Sequence, residues 1–244
     1  MTTADILPIT KLPRGKVPTR ALVVGDPARA ERIAGMLDKA QEIARNREYA
    51  SFEGSWKGVS VLVSSHGVGG PGAICQFQEL IDAGADTILR LGTAGAMVPG
   101  LGDGDLVIAE AAVRDDGVTQ QLLPPEYPSF ATPEVVCGLT ATAERLGLAY
   151  RRGVVWTRAA FYPAMVHLPL KEYARQGVLA IEMELSALLV MAQSRGIRSG
   201  GVLVIDGAAA DDLVDTTGYD PHRAVVAEGV ERAITLSLDA LVEL

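Results

Sequence analysis

The feature that most constrains this chain is the stretch 64–97, which contains a turn rich in glycine. The apolar run 59–65 before the turn predicts a strand. After the turn, apolar residues at helical spacing over 73–83 predict a helix, and 87–91 predicts a second strand. This order forms a βαβ unit, whose parallel strands end at one sheet edge, where α/β proteins bind ligands. We therefore expect the segments 64–72 and 90–95 to meet at a binding edge.

A charged residue inside the second strand is a further constraint. Arg90 lies in an otherwise apolar run that leads into Gly92, Thr93 and Gly95. Removing a charge from water is costly without compensation, so Arg90 needs either a carboxylate partner or an anionic ligand. An ion pair is the ordinary explanation for an isolated arginine. Because this arginine precedes glycines at a predicted strand end, the sequence favours the anion.

The start of the helix that follows the first predicted strand, 20–25, also indicates an anion site. Asp26 fits the N-cap of the helix that follows it, and Pro27 fits the first helical position. Arg29 then falls in the first turn, where the helix dipole favours an acidic residue. A cation in this place is a modest indication of an anion site, and the alternative is an exposed arginine of little energetic consequence.

Strands and helices alternate along the whole chain, without a linker, repeat or low-complexity segment. This alternation predicts one α/β domain over residues 1–244. The proline-rich residues 1–19 are predicted to form an extended N-terminal arm. Residues 41–52 are predicted to form one strand with a bend at Asn46, followed by a turn over 53–57.

The composition limits the partners and the compartment. A formal net charge of −8, without a basic run, argues against binding to duplex nucleic acid. Cys75 and Cys137 are isolated, which is typical of a reducing compartment. No apolar run approaches the roughly 18 residues that suggest a membrane helix, and the start of the chain lacks the apolar core of a signal peptide. We expect a cytoplasmic protein with no membrane partner.

Six short blocks in the chain resemble the nucleoside phosphorylases of the uridine phosphorylase and hexameric purine nucleoside phosphorylase type. The blocks are 24–29 (VGDPAR), 46–49 (NREY), 66–71 (HGVGGP), 90–95 (RLGTAG), 161–163 (FYP) and 182–184 (EME). A match to one block alone would be weak evidence, but six matches in the family's order and at similar spacing are very unlikely to arise by chance. The resemblance implies a single three-layer domain with a central mixed β-sheet flanked by helices.

The resemblance also implies a reaction. Orthophosphate, as a co-substrate, attacks C1′ of a nucleoside and releases the free base and ribose 1-phosphate, reversibly. The protein would contribute positioning and charge stabilisation, and no cofactor and no metal are implied. The residues that would bind phosphate are Gly25, Arg29, Arg47, Arg90 and Thr93. In the family the position of Arg47 enters a neighbouring subunit's site, which implies a homodimer, commonly within a homohexamer that is a trimer of dimers.

The remaining site residues are assigned by the same resemblance. Met183 and Glu184 would bind the ribose, with Glu184 accepting from its 2′- and 3′-hydroxyls, and Phe161 would pack on the base or sugar. An N-terminal acid is also favourable for a helix dipole, so Glu184 alone would be weak evidence. The predicted catalytic residues are Arg90, Glu184 and Asp206.

Base recognition is where the chain departs from the family pattern. Uridine phosphorylases hold uracil with a glutamine and an arginine, and the corresponding positions here are Met165 and His167, our candidate base-binding residues beside Phe161. Purine enzymes carry a Ser-Asp pair whose aspartate protonates purine N7, and an ungapped count places Asp206 one residue before that aspartate. The serine that binds a monovalent ion in some relatives corresponds to Gly72, so no such ion is predicted.

The sequence therefore favours phosphorolysis of a uridine-like nucleoside, because the GVGGP and FYP blocks are nearer to uridine phosphorylases. A purine nucleoside phosphorylase is the alternative. A nucleosidase of the same fold, in which water replaces phosphate, is a further hypothesis. The three arginines predicted to bind phosphate argue against it, because a hydrolase has no use for them. A nucleoside-binding protein without turnover is the hypothesis from another class.

Overall fold

The structure is a computed structural model that describes residues 5–162, 165–209 and 219–244. Its strands are β1 (Arg20–Val24), β2 (Asp38–Asn46), β3 (Tyr49–Trp56), β4 (Val59–Ser65), β5 (Thr87–Ala96), β6 (Leu106–Asp115), β7 (Tyr150–Arg158), β8 (Ala180–Glu182) and β9 (Arg198–Ala208). Its helices are α1 (Pro27–Ala34), α2 (Gly70–Ala83), α3 (Pro133–Arg145), α4 (Leu170–Arg175), α5 (Leu185–Arg195) and α6 (Ala224–Glu243). This alternation confirms the predicted α/β class.

The nine described strands form one mixed sheet in the order β2-β3-β4-β1-β5-β8-β7-β6-β9. β1 pairs in parallel with β4 and β5, so β4, α2 and β5 make the predicted crossover with β1 between the two strands. β9 pairs in parallel with β5 and antiparallel with β6, which closes β5, β8, β7, β6 and β9 into a ring. The carboxyl ends of β1, β4, β5 and β9 therefore meet at one edge of the sheet.

The helices pack around this sheet and cover its apolar faces. α2 contacts α5, α3 contacts α6, and α6 also packs on β1, β5 and β9. Every residue of α5 from Leu185 to Ala192 is buried, which explains why its sequence is apolar all round instead of on one face. In the described ranges, the helices lack the combination of length and hydropathy that a bilayer crossing requires.

The N-terminal segment differs from its prediction as an extended arm. Residues 5–18 fold back, and the Leu7 amide donates to the Leu12 carbonyl at 2.8 Å. Glu79 of α2 accepts from the Thr10 amide at 2.6 Å and from its hydroxyl at 2.7 Å. Leu7 and Leu12 are buried in the core. The prolines suggested an extended chain, but Leu7 and Leu12 carry apolar surface that this fold-back removes from water.

Two predictions about strands also need correction. Residues 41–52 are not one bent strand, because β2 ends at Asn46, Arg47 adopts a φ of 53°, and β3 begins at Tyr49. The chain reverses at 47–48, and the predicted turn over 53–57 lies mostly within β3. β5 also continues to Ala96, so Thr93 lies inside the strand, where β9 pairs with it along its length.

Candidate functional site

A cavity of 540 Å³ opens at the carboxyl ends of the parallel strands. It is lined by eight of the predicted site residues: Gly25, Arg29, Arg90, Thr93, Phe161, Met183, Glu184 and Asp206. Gly67 and Val68 of the glycine-rich turn line it as well. These residues are far apart in sequence, and they meet because β1, β4, β5 and β9 are parallel and end together.

Arg90 is buried at this cavity between two carboxylates. Its Nη2 donates to Glu184 and lies 3.3 Å from a carboxylate oxygen of Glu182. Burial by itself lowers the pKa of Arg90, but the two carboxylates outweigh it and raise that pKa overall. Its Nε and Nη1 have no hydrogen-bond partner in the described part of the chain. Arg90 therefore has an ion pair and also keeps buried donors that an anion would satisfy.

Gly92 leaves room for the Arg90 guanidinium. A Cβ placed on Gly92 would lie 2.7 Å from Arg90 Cζ, closer than side-chain atoms approach one another. The absence of a side chain at this glycine therefore leaves the space that the guanidinium occupies, and gives a physical reason for one glycine of the RLGTAG block.

Glu182 and Glu184 sit side by side with different partners. Glu182 accepts from the amides of Glu184 and Leu185, each at 2.9 Å, and so holds the start of α5. Glu184 accepts from the Gly69 amide as well as from Arg90. Burial raises the pKa of Glu182. Burial acts in the same direction on Glu184, but Arg90 above all brings its pKa below the usual value. Glu182 therefore positions the segment, and Glu184 lines the cavity as an ionised carboxylate.

Arg29 stands in the first turn of α1, as predicted, behind the cap formed by Asp26. The Asp26 carboxylate accepts from the Ala28 amide at 2.9 Å. Burial lowers the pKa of Arg29. The positive charge of the nearby Arg90 lowers the same pKa further, while Asp26 raises it. Arg29 makes no ion pair in the described part of the chain. An anion placed between Arg29 and Arg90 would offset both the burial and the repulsion between the two cations.

The formal charges around the cavity nearly cancel, with three arginines against four carboxylates. They are Arg29, Arg90, Arg158, Asp26, Glu182, Glu184 and Asp206. A bound dianion would therefore gain from one further cation. Arg47, the third of the predicted arginines, does not line the cavity of the single chain and is exposed in the turn between β2 and β3.

Asp206 brings a buried carboxylate from β9 to the cavity. It accepts a hydrogen bond from the Tyr219 hydroxyl at 2.9 Å. Burial raises the pKa of Tyr219, and the neighbouring carboxylate of Asp206 raises the same pKa further. The phenol therefore stays protonated and donates. The Tyr219 ring lies 6.1 Å from that of Phe161. Two aromatic rings beside a carboxylate suit a flat heterocycle that can accept a proton.

Met165 and His167 lie outside this cavity. The Met165 side chain is fully exposed. His167 lines a separate cavity of 230 Å³, with its Nε2 3.5 Å from the Glu172 carboxylate. A role for these two residues in base binding stays a prediction. Pro163, the last residue of the FYP block, falls outside the described residues.

Several residues at the cavity were not predicted from the sequence: Arg158, Glu182, Tyr219 and Asp26 as a lining residue. Glu182 belongs to the EME block, where only its second carboxylate was assigned a role. Arg158 follows the buried residues 155–157 of β7, but this strand also carries Arg151 and Arg152, so a cation there is less unusual than Arg90 in its apolar run. Tyr219 carries no local signal, because only the chain's return to the cavity brings it to Asp206. Within the described ranges, no three His, Cys, Asp or Glu side chains are grouped to hold a metal ion.

His66 is a buried group next to the site that the sequence did not single out for a role. Its Nδ1 lies 2.8 Å from the Gly67 carbonyl, while its Nε2 has no partner in the described part of the chain. Burial above all, together with the nearby Arg90, lowers the pKa of His66 to about 4. The ring is therefore neutral near pH 7, and the carbonyl places its proton on Nδ1.

Comparisons with known proteins agree with the resemblance. The family model described as the phosphorylase superfamily matches residues 19–243. A purine nucleoside phosphorylase from Plasmodium vivax is 34% identical over 96% of this chain and 95% of its own, and a uridine phosphorylase from Thermococcus kodakarensis is 34% identical over 89% and 83%. The crystal structure of purine nucleoside phosphorylase from Toxoplasma gondii in complex with immucillin-H superposes with a TM-score of 0.93 at 34% identity, covering 100% of this chain and 98% of that one.

Proposed function

Because the chain belongs to the phosphorylase superfamily and, within it, to the nucleoside phosphorylases, we propose that it cleaves a nucleoside with orthophosphate to a free base and ribose 1-phosphate. The observation that carries this proposal is Arg90, which is buried beside Glu184 and has two guanidinium nitrogens without a partner among the described residues. Guanidinium donors match phosphate oxygens, and an ionised carboxylate accepts from ribose hydroxyls. One residue pair thus adjoins the sites for both reactants.

In the proposed reaction, phosphate lies between Arg29 and Arg90, next to Thr93 and Gly25. Glu184 accepts hydrogen bonds from the 2′- and 3′-hydroxyls and so orients C1′ towards the phosphate. A phosphate oxygen forms the new bond to C1′ while the bond from C1′ to the base nitrogen breaks, and its electron pair leaves with the base. Positive charge develops on the sugar in the transition state, and the phosphate and Glu184 stabilise it.

We propose a purine nucleoside as the first substrate to test, which revises the uridine preference of the sequence. Asp206 lines the cavity, whereas Met165 and His167, at the uracil-binding positions of the family, do not. A protonated Asp206 would donate its proton to N7 of the leaving purine, while the Tyr219 hydroxyl holds one of its carboxylate oxygens. Uridine is the second candidate, favoured by the GVGGP block and by the similarity to a uridine phosphorylase.

We further propose that Arg47 of a neighbouring copy completes the phosphate site. The charges around the cavity support this, because three arginines leave no positive excess over the carboxylates there, and a further arginine would offset part of the charge of a bound phosphate dianion. The proposal can be tested by mixing inactive Arg47→Ala and Glu184→Ala variants under conditions that exchange subunits. Recovery of activity requires that the two residues of one site come from different chains. No recovery despite verified exchange would place both residues in one chain's site.

The function is tested by measuring base release from inosine, adenosine, uridine and thymidine, each with and without phosphate. We expect phosphate-dependent release from inosine with equimolar ribose 1-phosphate. Equal release without phosphate would identify a nucleosidase. Phosphate-dependent release from uridine alone would restore the uridine assignment. Nucleoside binding without release at any phosphate concentration would identify a binding protein.

A further inference from the structure

Arg158 is a cation at the cavity to which neither the resemblance nor the proposed reaction gives a task. It is the last residue of β7 and leads into Ala160 and Phe161, which line the same cavity. It also lines the smaller cavity that contains His167, so its side chain lies between the two. It therefore reaches the cavity beside the aromatic residues Phe161 and Tyr219.

The guanidinium of Arg158 has more donors than partners. In the described ranges it donates to the Ala160 carbonyl and makes no ion pair with a carboxylate. The nearest acid along the sheet, Asp115, is its register partner on β6 and accepts instead from the Trp156 indole nitrogen at 3.2 Å. A guanidinium has five N–H donors and no acceptor, so most of this fork is available to a ligand in the cavity.

Phosphate is the less suitable ligand for this group. Arg158 ends β7, which pairs with β6 and β8, whereas Arg90 and Thr93 lie on β5 and Arg29 lies in α1. Arg158 instead adjoins the residues that the proposed function gives to the base. The ligand group it meets there must accept hydrogen bonds, because a guanidinium can only donate.

Nucleobases differ in this respect. Hypoxanthine, guanine and uracil present carbonyl oxygens on the ring edge, whereas adenine and cytosine present an amino group at the corresponding ring carbon. When the bond to C1′ breaks, an oxo base also delocalises the departing electron pair onto its oxygen. A cation at that oxygen would bind the ground state and stabilise the leaving group further.

We infer that Arg158 is a specificity-determining residue that selects oxo bases over amino bases by donating to a base carbonyl oxygen. The inference rests on the proposed function for the assignment of this part of the cavity to the base. It concerns the carbonyl oxygen of the base and does not depend on the size of the ring. It therefore holds for a 6-oxopurine and for uracil alike.

The test compares matched nucleosides in the wild type and in Arg158→Met, which keeps an unbranched apolar stem but removes the charge and the donors of the side chain. We expect the ratio of kcat/KM for inosine over adenosine, and for uridine over cytidine where these are turned over, to fall roughly 10- to 100-fold, as loss of a hydrogen bond from a charged group predicts. Arg151→Met, an exposed arginine at the other end of β7, is the matched control and should leave both ratios unchanged.

A second readout does not need turnover. Calorimetric titration of free hypoxanthine and free adenine should show that Arg158→Met weakens only the binding of hypoxanthine. If nucleosides are not cleaved but this difference is found, the proposed reaction fails and the inference stands. If nucleosides are cleaved but both bases are affected equally, or only the KM for phosphate rises, the inference fails and the proposed reaction stands. A wild type that prefers adenosine would also overturn the inference.

Discussion

The two ends of the cavity are built differently. The end that we propose for phosphate consists of Gly25 directly after β1, Arg29 in the first turn of α1, and Arg90 and Thr93 on β5. The base end consists of Arg158, Phe161, Asp206 and Tyr219, of which Phe161 and Tyr219 stand on irregular segments. Arg90 is 3% exposed, whereas Phe161 is 41% exposed. The phosphate end is thus held by the sheet, and the base end is open to solvent.

The difference shows how one scaffold can keep a reaction and vary its substrate. Groups inside parallel strands are fixed by many backbone hydrogen bonds, so phosphate and ribose can be held in one geometry. Groups on loops can be exchanged with little cost to the fold. Changes at the phosphate end should therefore affect all nucleosides, and changes at the base end should affect the choice among them.

The largest expected effect comes from Arg90→Ala. Loss of its guanidinium should lower kcat/KM for every nucleoside about 1,000-fold, near the upper range for removing one group that stabilises a transition state. It should also lower the free energy of unfolding by about 3–5 kcal/mol, because Glu182 and Glu184 are left buried without their cation. Urea denaturation and initial rates measure both.

Arg45→Ala is the matched control, since Arg45 also contacts two carboxylates, Glu31 and Glu42, but on the surface. It should change stability and rate little. If Arg90→Ala lowered the rate for only one nucleoside, the division between the two ends would be wrong.

His66 should make the stability of the fold depend on pH. Its pKa is about 4 in the folded protein and near 6.5 in the unfolded chain, so the unfolded chain binds more protons between these values. Folding stability should therefore decrease as the pH falls from 6.5 to 4, and His66 should account for about 3 kcal/mol of that decrease. Denaturation of the wild type and of His66→Gln across this range measures it. The exposed His222→Gln is the control, and an equal slope in all three proteins would contradict the burial of a neutral His66.

Asp206→Asn tests the base end. An asparagine cannot supply a proton, so phosphorolysis of inosine should slow about 100-fold, at the lower end for loss of a general acid. Uridine has no N7 to protonate and should be affected much less. Parallel initial rates on the two nucleosides check this, and an equal loss on both would assign Asp206 a structural or sugar-binding role.

The smallest expected effect belongs to His167→Ala. Its imidazole faces Glu172 and lines the smaller cavity, so kcat/KM should stay within about twofold for every nucleoside, as for a surface substitution. Met165→Ala is expected to behave in the same way. A tenfold loss confined to uridine would instead support the base-binding role that the sequence predicts for these positions.

The sequence identified site residues best where an unusual side chain lies in a recognisable strand or helix. Arg90 could be found because a cation in an apolar run is improbable, and Arg29 because it opposes a helix dipole. The fold class followed from the alternation of strands and helices. Tyr219 could not be found, because its contact with Asp206 depends on how a distant segment returns to the sheet. The fold-back of residues 5–18 was missed for the same reason, since it depends on Glu79.

The ring of strands affects how the chain folds while it is being synthesised. β9 supplies the pairing that covers one edge of β5 and one edge of β6, and among the described strands it is the one nearest the C-terminus, so the ribosome makes it after the other eight. Until then, both edges carry unpaired backbone groups that can recruit another chain. Contacts between strands so distant in sequence also form slowly. A nascent chain or a truncation that stops before Arg198 is therefore an aggregation-prone intermediate, and molecular chaperones would have the longest opportunity to bind it at this stage.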